Sequence, residues 1–286
     1  MTRVFDTTVC DLGEGPLWHP ERGQLFWFDI LGRKLLTRRG AFSRAWQFEH
    51  CVSAAGWVDA ATLLIASASE LFSFNIETGA REHVLPLEAE NPVTRSNDGR
   101  ADPFGGFWIG TMGYNAEQDA GAIYRYYKGE LRQLFPAVSI PNAICFDPEG
   151  LFALYCDTRE HVIRKIALDQ KDGWPVGESE IFIDMRKDDW GPDGGVIDAD
   201  GNLWNAQWGA SRVAAYNRKG EFLREIRFAA RQTSCPAFGG ADLSELFVTS
   251  AATDLPSEEI DACHENGMTF VAETQARGQK EHKVLL

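Results

Sequence analysis

Asp198-Ala199-Asp200-Gly201-Asn202-Leu203-Trp204 is a tight turn that runs straight into an apolar, aromatic strand. Asp hydrogen-bonds its own following backbone and Gly takes positive φ without a Cβ clash, so the first four residues reverse the chain. Five other segments share this build. They are His19 to Trp27, Asp59 to Ile65, Asp102 to Trp108, Asp147 to Phe152 and Asp242 to Phe247, two of them with the Asp-Pro turn opening seen in Asp102-Pro103 and Asp147-Pro148. The six starts lie 40, 43, 45, 51 and 44 residues apart. The residues after each turn mix β-branched and aromatic types over about five positions, as in Leu25 to Asp29 and Phe107 to Thr111. More strand-like runs fill the units: Glu70 to Asn75, Ala122 to Tyr127, Val162 to Ala167 and Val213 to Asn217.

A repeat of this length with about four short strands has the dimensions of a propeller blade. The sequence therefore predicts an all-β chain, a six-bladed β-propeller forming one domain over residues 1–286. A β-sandwich with similarly spaced hairpins is the alternative, and six consecutive matches disfavour it. A propeller must hide its last sheet edge, so the strand-like stretch Arg3 to Cys10 is expected to complete the sheet begun by Thr269 to Glu273. Trp18, Trp27, Trp108 and Trp204 recur at strand positions and read as core between blades, whereas Trp190 and Trp208 flank the Asp193 segment and are placed near a pocket.

Composition narrows the partners. The 286 residues carry 28 basic and 42 acidic side chains, a formal charge of −14, which repels nucleic-acid phosphates and anionic lipid. Neither nucleic acid nor a membrane is an expected partner. No apolar run has the length of a signal segment or a membrane span, and Cys10, Cys51, Cys145, Cys156, Cys235 and Cys263 stand singly without a C-x-x-C pair. Buried reduced thiols in a cytoplasmic protein are the expectation. The six histidines show no paired metal spacing, the serines no G-x-S-x-G setting and the glycines no phosphate-cradling loop. The acidic run Glu258-Glu259-Ile260-Asp261 reads as a solvated loop.

In a propeller the innermost strand of each blade lines the central channel, just before each of these turns. Five residues back from the six turn starts stand Glu14, Ala54, Asn97, Asn142, Asp193 and Ala237. Four of the six carry side-chain oxygen. Buried acceptors facing one axis need a partner, and a divalent cation supplies one: Glu14 and Asp193 bring two charges, Asn142 or Asn97 neutral oxygens. Such a set suits Ca²⁺, Mg²⁺ or Mn²⁺, although carboxylates also hold Zn²⁺ or Fe²⁺. Two residues before Asn97, Arg95 presents a fork of donors to a ligand hydroxyl, carboxylate or ring oxygen, or pairs with Asp98 or Asp102.

These motifs resemble the gluconolactonase, senescence marker protein 30 and luciferin-regenerating enzyme family of six-bladed propellers. The resemblance rests on Leu12-Gly13-Glu14-Gly15-Pro16-Leu17-Trp18, Arg95-Ser96-Asn97-Asp98-Gly99 with Gly110-Thr111-Met112, Pro141-Asn142 before Phe146-Asp147, and Gly191-Pro192-Asp193-Gly194 before the Asp198 turn. It implies one divalent cation held by Glu14, Asn142 and Asp193, with Arg95 and Asn97 binding substrate. It also implies hydrolysis of a sugar-acid lactone, with Asp193 as general base. The chain departs from the family where some members place a substrate-contacting glutamate: it reads Gly113-Tyr114-Asn115, so Asn115 takes that place, with Glu117 and Asp119 nearby as substitutes. The alternatives are a metal-stabilised propeller acting as a binding module, and an esterase or phosphotriesterase on the same scaffold, which calls for a more apolar pocket.

Overall fold

The computed structural model describes residues Met1–Leu286. After β1 (Thr2–Asp6) come five four-stranded sheets, each a run of consecutive strands. They are β2 to β5 (Gly13–His19, Gln24–Asp29, Lys34–Arg39, Phe42–Gln47), β6 to β9 (Val52–Trp57, Thr62–Ser67, Glu70–Asn75, Arg81–Pro86) and β10 to β13 (Thr94–Ala101, Phe107–Gly113, Gly121–Tyr127, Glu130–Val138). Then follow β14 to β17 (Pro141–Phe146, Phe152–Asp157, Val162–Leu168, Pro175–Asp184) and β18 to β21 (Gly191–Ile197, Leu203–Trp208, Arg212–Tyr216, Phe222–Arg227). The sixth sheet holds β22 (Gln232–Gly239), β23 (Glu245–Ala251), β24 (Thr269–Glu273) and β1, so the two ends of the chain close one blade. The fold is a six-bladed β-propeller, as the repeat predicts.

The closing strand is shorter than expected. β1 pairs with β24 from Thr2↔Ala272 to Asp6↔Thr269, and there Asp6 Oδ1 accepts the Thr8 N–H at 2.9 Å, turning the chain out of the sheet before Cys10. The acidic run is corrected too: Ser257–Ala262 forms a short helix, α1, with Glu258 and Glu259 in its first turn, where negative charge suits unsatisfied backbone N–H groups.

The repeated turn aspartate works as its chemistry dictates. Asp198 Oδ1 accepts the backbone N–H groups of Asp200 and Asn202 at 3.0 and 2.8 Å, while Oδ2 accepts the Trp204 indole at 2.9 Å. Turn and core aromatic are thereby locked together. In the third blade Asp102 accepts from Phe104 and Gly106 and pairs with Arg125, both side chains being wholly buried. The tryptophans fill the seams between blades: Trp27, Trp108 and Trp204 are at most 1% exposed, Trp108 meets Phe146 edge-on at 5.4 Å, and Trp204 meets Phe238 at 5.7 Å. Trp18 stacks on Phe247 at 5.3 Å across the closure. All six cysteines are free, five buried and Cys263 half-buried.

The C-terminal segment goes beyond closing the ring. Residues 277–286 run past the C-terminal ends of the inner strands, where Lys283 bridges Trp57, Gly278 bridges Asp198, and Gln279 Nε2 donates to the Phe146 and Ile197 carbonyls at 3.0 and 2.9 Å. Val284 is fully buried, and Glu281 forms a buried ion pair with Arg100 of β10. This tail covers one end of the axis and leaves the other open.

Candidate active site

The open end is where the inner strands begin, and each of the six has a register irregularity there: Glu14/Leu17, Val52/Ala54, Ser96/Gly99, Asn142/Cys145, Pro192/Gly195 and Thr233/Pro236. Bulges re-aim side chains, which turns strand residues towards the axis. The backbone around them is special. Gly15 has φ +52°, and a Cβ on it would lie 2.2 Å from the Ser53 carbonyl oxygen of the next blade. Ala143 holds the same relation to Asn142 as Gly15 to Glu14, and takes φ +55° despite its methyl group. Such strain costs about 1 kcal/mol or more and persists where surrounding structure enforces it.

Glu14, Asn97, Asn142 and Asp193 all line a single cavity of about 490 Å³, with Arg95 and Asn115 on its wall. The fixed count back from the turns fails in two blades. Ala54 and Ala237 lie beyond their irregularities, and the bulged residues there are Ser53 in one blade and Ser234 and Cys235 in the other, all buried.

The hydrogen bonds sort the oxygen-bearing residues by freedom. Asn142 Nδ2 donates to Thr158 Oγ1 at 2.9 Å, and Thr158 donates to the Pro192 carbonyl at 2.7 Å, tying Asn142 to the strand that carries Asp193. Asn205 of β19 holds the Asp193 bulge, donating to the Asp193 and Gly194 carbonyls at 2.8 and 3.1 Å. Asn97 is more committed: its oxygen accepts from Arg95 Nη1 at 2.9 Å and its amide donates to the Pro141 carbonyl at 3.0 Å and to Asn142 Oδ1 at 3.3 Å. Glu14, by contrast, accepts only the adjacent Gly15 N–H at 2.9 Å.

Two buried carboxylates with so little support are electrostatically costly. Burial, followed by the charge of Asp98, pushes Glu14 up to about 8. Burial, then Glu14 and Asp98, holds Asp193 well above the usual carboxylate range. Arg95 pairs with neither Asp98 nor Asp102; Nη1 is spent on Asn97 and the Ser96 carbonyl, Nε has no partner, and burial lowers its pKa. Asp102 belongs to Arg125.

Asn115 reaches the cavity, but Glu117 and Asp119 do not line it. Glu117 instead fixes Asn115, accepting its side-chain and backbone N–H groups at 2.9 and 3.1 Å. Trp208 lines the pocket; Trp190 does not, and lies beneath Arg212 with 4.7 Å from guanidinium to ring.

Asp98 is the group that spacing did not single out. It is buried, its Oδ2 accepts the Ile144 N–H at 2.8 Å, and burial raises it to about 6. Its place in Asn97-Asp98-Gly99, within the same bulge, was the available signal. Thr158, from a short 3-10 turn after β15, and Tyr114, Thr253 and Asp254, from loops, add to the wall at positions no repeat encodes.

A family model described as the SMP-30/Gluconolactonase/LRE-like region matches residues 12–252, which includes every axial residue above. The chain belongs to this family. An L-arabinolactonase of Azospirillum brasilense is 34% identical, covering 93% of this chain and 90% of that protein. A 6-deoxy-6-sulfogluconolactonase of Pseudomonas putida is 30% identical, covering 94% of each. Among solved structures, a calcium-binding protein described as regucalcin from Agrobacterium tumefaciens superposes with TM-score 0.98 at 39% identity, covering 100% of this chain and 98% of that one.

Nowhere in the fold do three His, Cys, Asp or Glu side chains converge to hold a metal. The axial set instead has two acids and an amide. It suits a hard divalent ion: two buried acids that form no salt bridge, and a carbonyl-type oxygen whose own amide nitrogen is engaged elsewhere.

Proposed function

We propose that this protein is a divalent-cation-dependent hydrolase that opens the lactone ring of a sugar acid. The observation that carries this reading is the pair of buried acids without a salt bridge, Glu14 and Asp193, lining an open cavity together with Asn142 and Arg95. Glu14, Asn142 and Asp193 would hold the cation, one of Ca²⁺, Mg²⁺, Mn²⁺, Zn²⁺ or Fe²⁺. When bound, the ion supplies Lewis-acid polarisation of the lactone carbonyl. The named lactonases among the relatives support the reaction class.

The chain's own residues supply the remainder. Asp193 takes the proton from the attacking water through a carboxylate oxygen, general-base assistance worth about 10² to 10⁴ in rate. As the ester C–O bond breaks, the ring oxygen leaves as a hydroxyl group and takes up that proton. Arg95 presents guanidinium donors to substrate hydroxyls and is held by Asn97, whose oxygen accepts from it and keeps a lone pair for a substrate hydroxyl, and Asn115 offers a second polar contact held in place by Glu117. A cavity open at one end of the axis is what a turnover site requires, whereas a purely structural ion would be enclosed by protein oxygens.

A panel of aldonolactones followed by acid release, with chelator and with each of the five ions added back, tests this. Activity lost with chelator and restored by one ion supports it. The apolar part of the wall, Leu12, Leu31, Met112, Ile140 and Trp208, favours arylester hydrolysis as the second reading; phenyl acetate turned over faster than every lactone would establish that instead.

A further inference from the structure

The cavity carries a fixed pattern of charge from base to mouth. Its buried charged residues, Glu14, Asp193 and Arg95, are each at most 5% exposed and define its base, and its one exposed charged residue, Asp254, defines its mouth. No lysine, histidine or second arginine lines the wall. Arg95 is buried, with Nη1 committed to Ser96 and Asn97, so it serves the base.

Asp254 does not sit on a free loop. The preceding residue, Thr253, donates its N–H to the Asp11 carbonyl at 2.9 Å, and its carbonyl accepts from Gln232 Nε2 at 2.7 Å. Asp254 itself takes φ +58°. With the lactone carbonyl at the buried acid pair, the end of the substrate turned to solvent is the part that meets the exposed Asp254.

Resting on the lactonase reading, we infer that the site selects sugar lactones whose exocyclic end is uncharged, and that Asp254 is the residue that rejects a phosphate, sulfonate or carboxylate there. An anionic group at the mouth faces a like charge and finds no counter-ion, a disadvantage of about tenfold in kcat/KM at low salt.

The test compares D-glucono-1,5-lactone with 6-phospho-D-glucono-1,5-lactone, using the full chain with its activating cation at low ionic strength. Wild type, Asp254→Asn, Asp254→Lys and Glu82→Lys are measured; Glu82 is exposed on β9, away from the cavity, and controls for overall charge. The expected result is a preference of about tenfold or more for the neutral lactone. Asp254→Lys should narrow that ratio by about tenfold, Asp254→Asn by less, and Glu82→Lys should leave it unmoved. Equal turnover of both lactones by wild type, or a ratio that Asp254→Lys leaves alone or Glu82→Lys shifts as much, would overturn the inference while the lactonase reading stands. Hydrolysis of neither lactone would overturn the inference, and the lactonase reading with it if no other aldonolactone of the panel is opened.

Discussion

Glu281→Gln places a measurable load on the far end of the propeller axis. Arg100 and Glu281 form an ion pair with side chains 10% and 8% exposed, and Arg100 also donates to the Pro236 carbonyl at 3.4 Å, leaving Nε without a partner. The glutamate charge holds Arg100 above its ordinary pKa against the opposing effect of burial. Removing that charge leaves a buried guanidinium without a counter-ion, which costs about 3 to 5 kcal/mol when one partner of such a pair is deleted. Glutamine keeps the shape and part of the hydrogen bonding, so the low end, about 3 kcal/mol, applies. With unfolding entropy of about 2.1 cal/mol/K per residue over 286 residues, this corresponds to a Tm lower by about 5 °C. Differential scanning calorimetry reads it directly. Replacing both partners, Arg100→Met with Glu281→Leu, should restore stability to within about 1 kcal/mol, because no charge is then stranded. A single variant that melts like wild type, or a double variant as weak as the single one, would refute the reasoning.

Arg95→Ala should raise KM for a neutral lactone by about tenfold or more, with a smaller effect on melting temperature, since it removes a substrate donor that has no ion-pair partner; unchanged steady-state constants would take Arg95 out of the substrate contact. The pH dependence of the metal-free protein has a defined sign. Glu14 rises from 4.5 to about 8 on folding, so between those values the folded state binds more protons and stability from this group falls as pH rises. Melting curves across that window, with and without saturating cation, should show the decline in the chelated sample and its reduction when an ion is added; a metal-free protein that gains stability over the whole window contradicts the assignment. Cation affinity should rise over the same range, because the ion competes with protons for the carboxylates.

The blade count was legible because the repeat is a local device: a side chain capping its own turn ahead of a buried apolar strand recurs from unit to unit, an aspartate in five of the six, with Asp198 and Trp204 its fullest form. The four oxygen-bearing residues of the cavity were legible for a related reason, since they stand at a nearly constant distance from that device. The count failed where bulges vary, at Ala54 and Ala237, because one inserted residue in a strand redirects every side chain beyond it. The tail over residues 277–286 was invisible: its contacts with Trp57, Arg100 and Ile197 span most of the sequence and follow no period. The same holds for the mouth, where Asp254 and Tyr114 come from irregular segments. Glu117 was placed in the right neighbourhood with the wrong partner, because a carboxylate beside Asn115 can face either the cavity or the loop, and the backbone N–H of Asn115 draws it to the loop.

The proposed chemistry depends most on an ion seated between the two axial acids. Isothermal titration of metal-stripped protein with each of the five candidate cations, repeated on Glu14→Gln and Asp193→Asn, measures this directly. One ion per wild-type chain, with affinity lowered by about 100-fold or more in each variant, is the predicted result. Wild-type affinity retained in both variants, or no stoichiometric binding of any of the five ions, would contradict it.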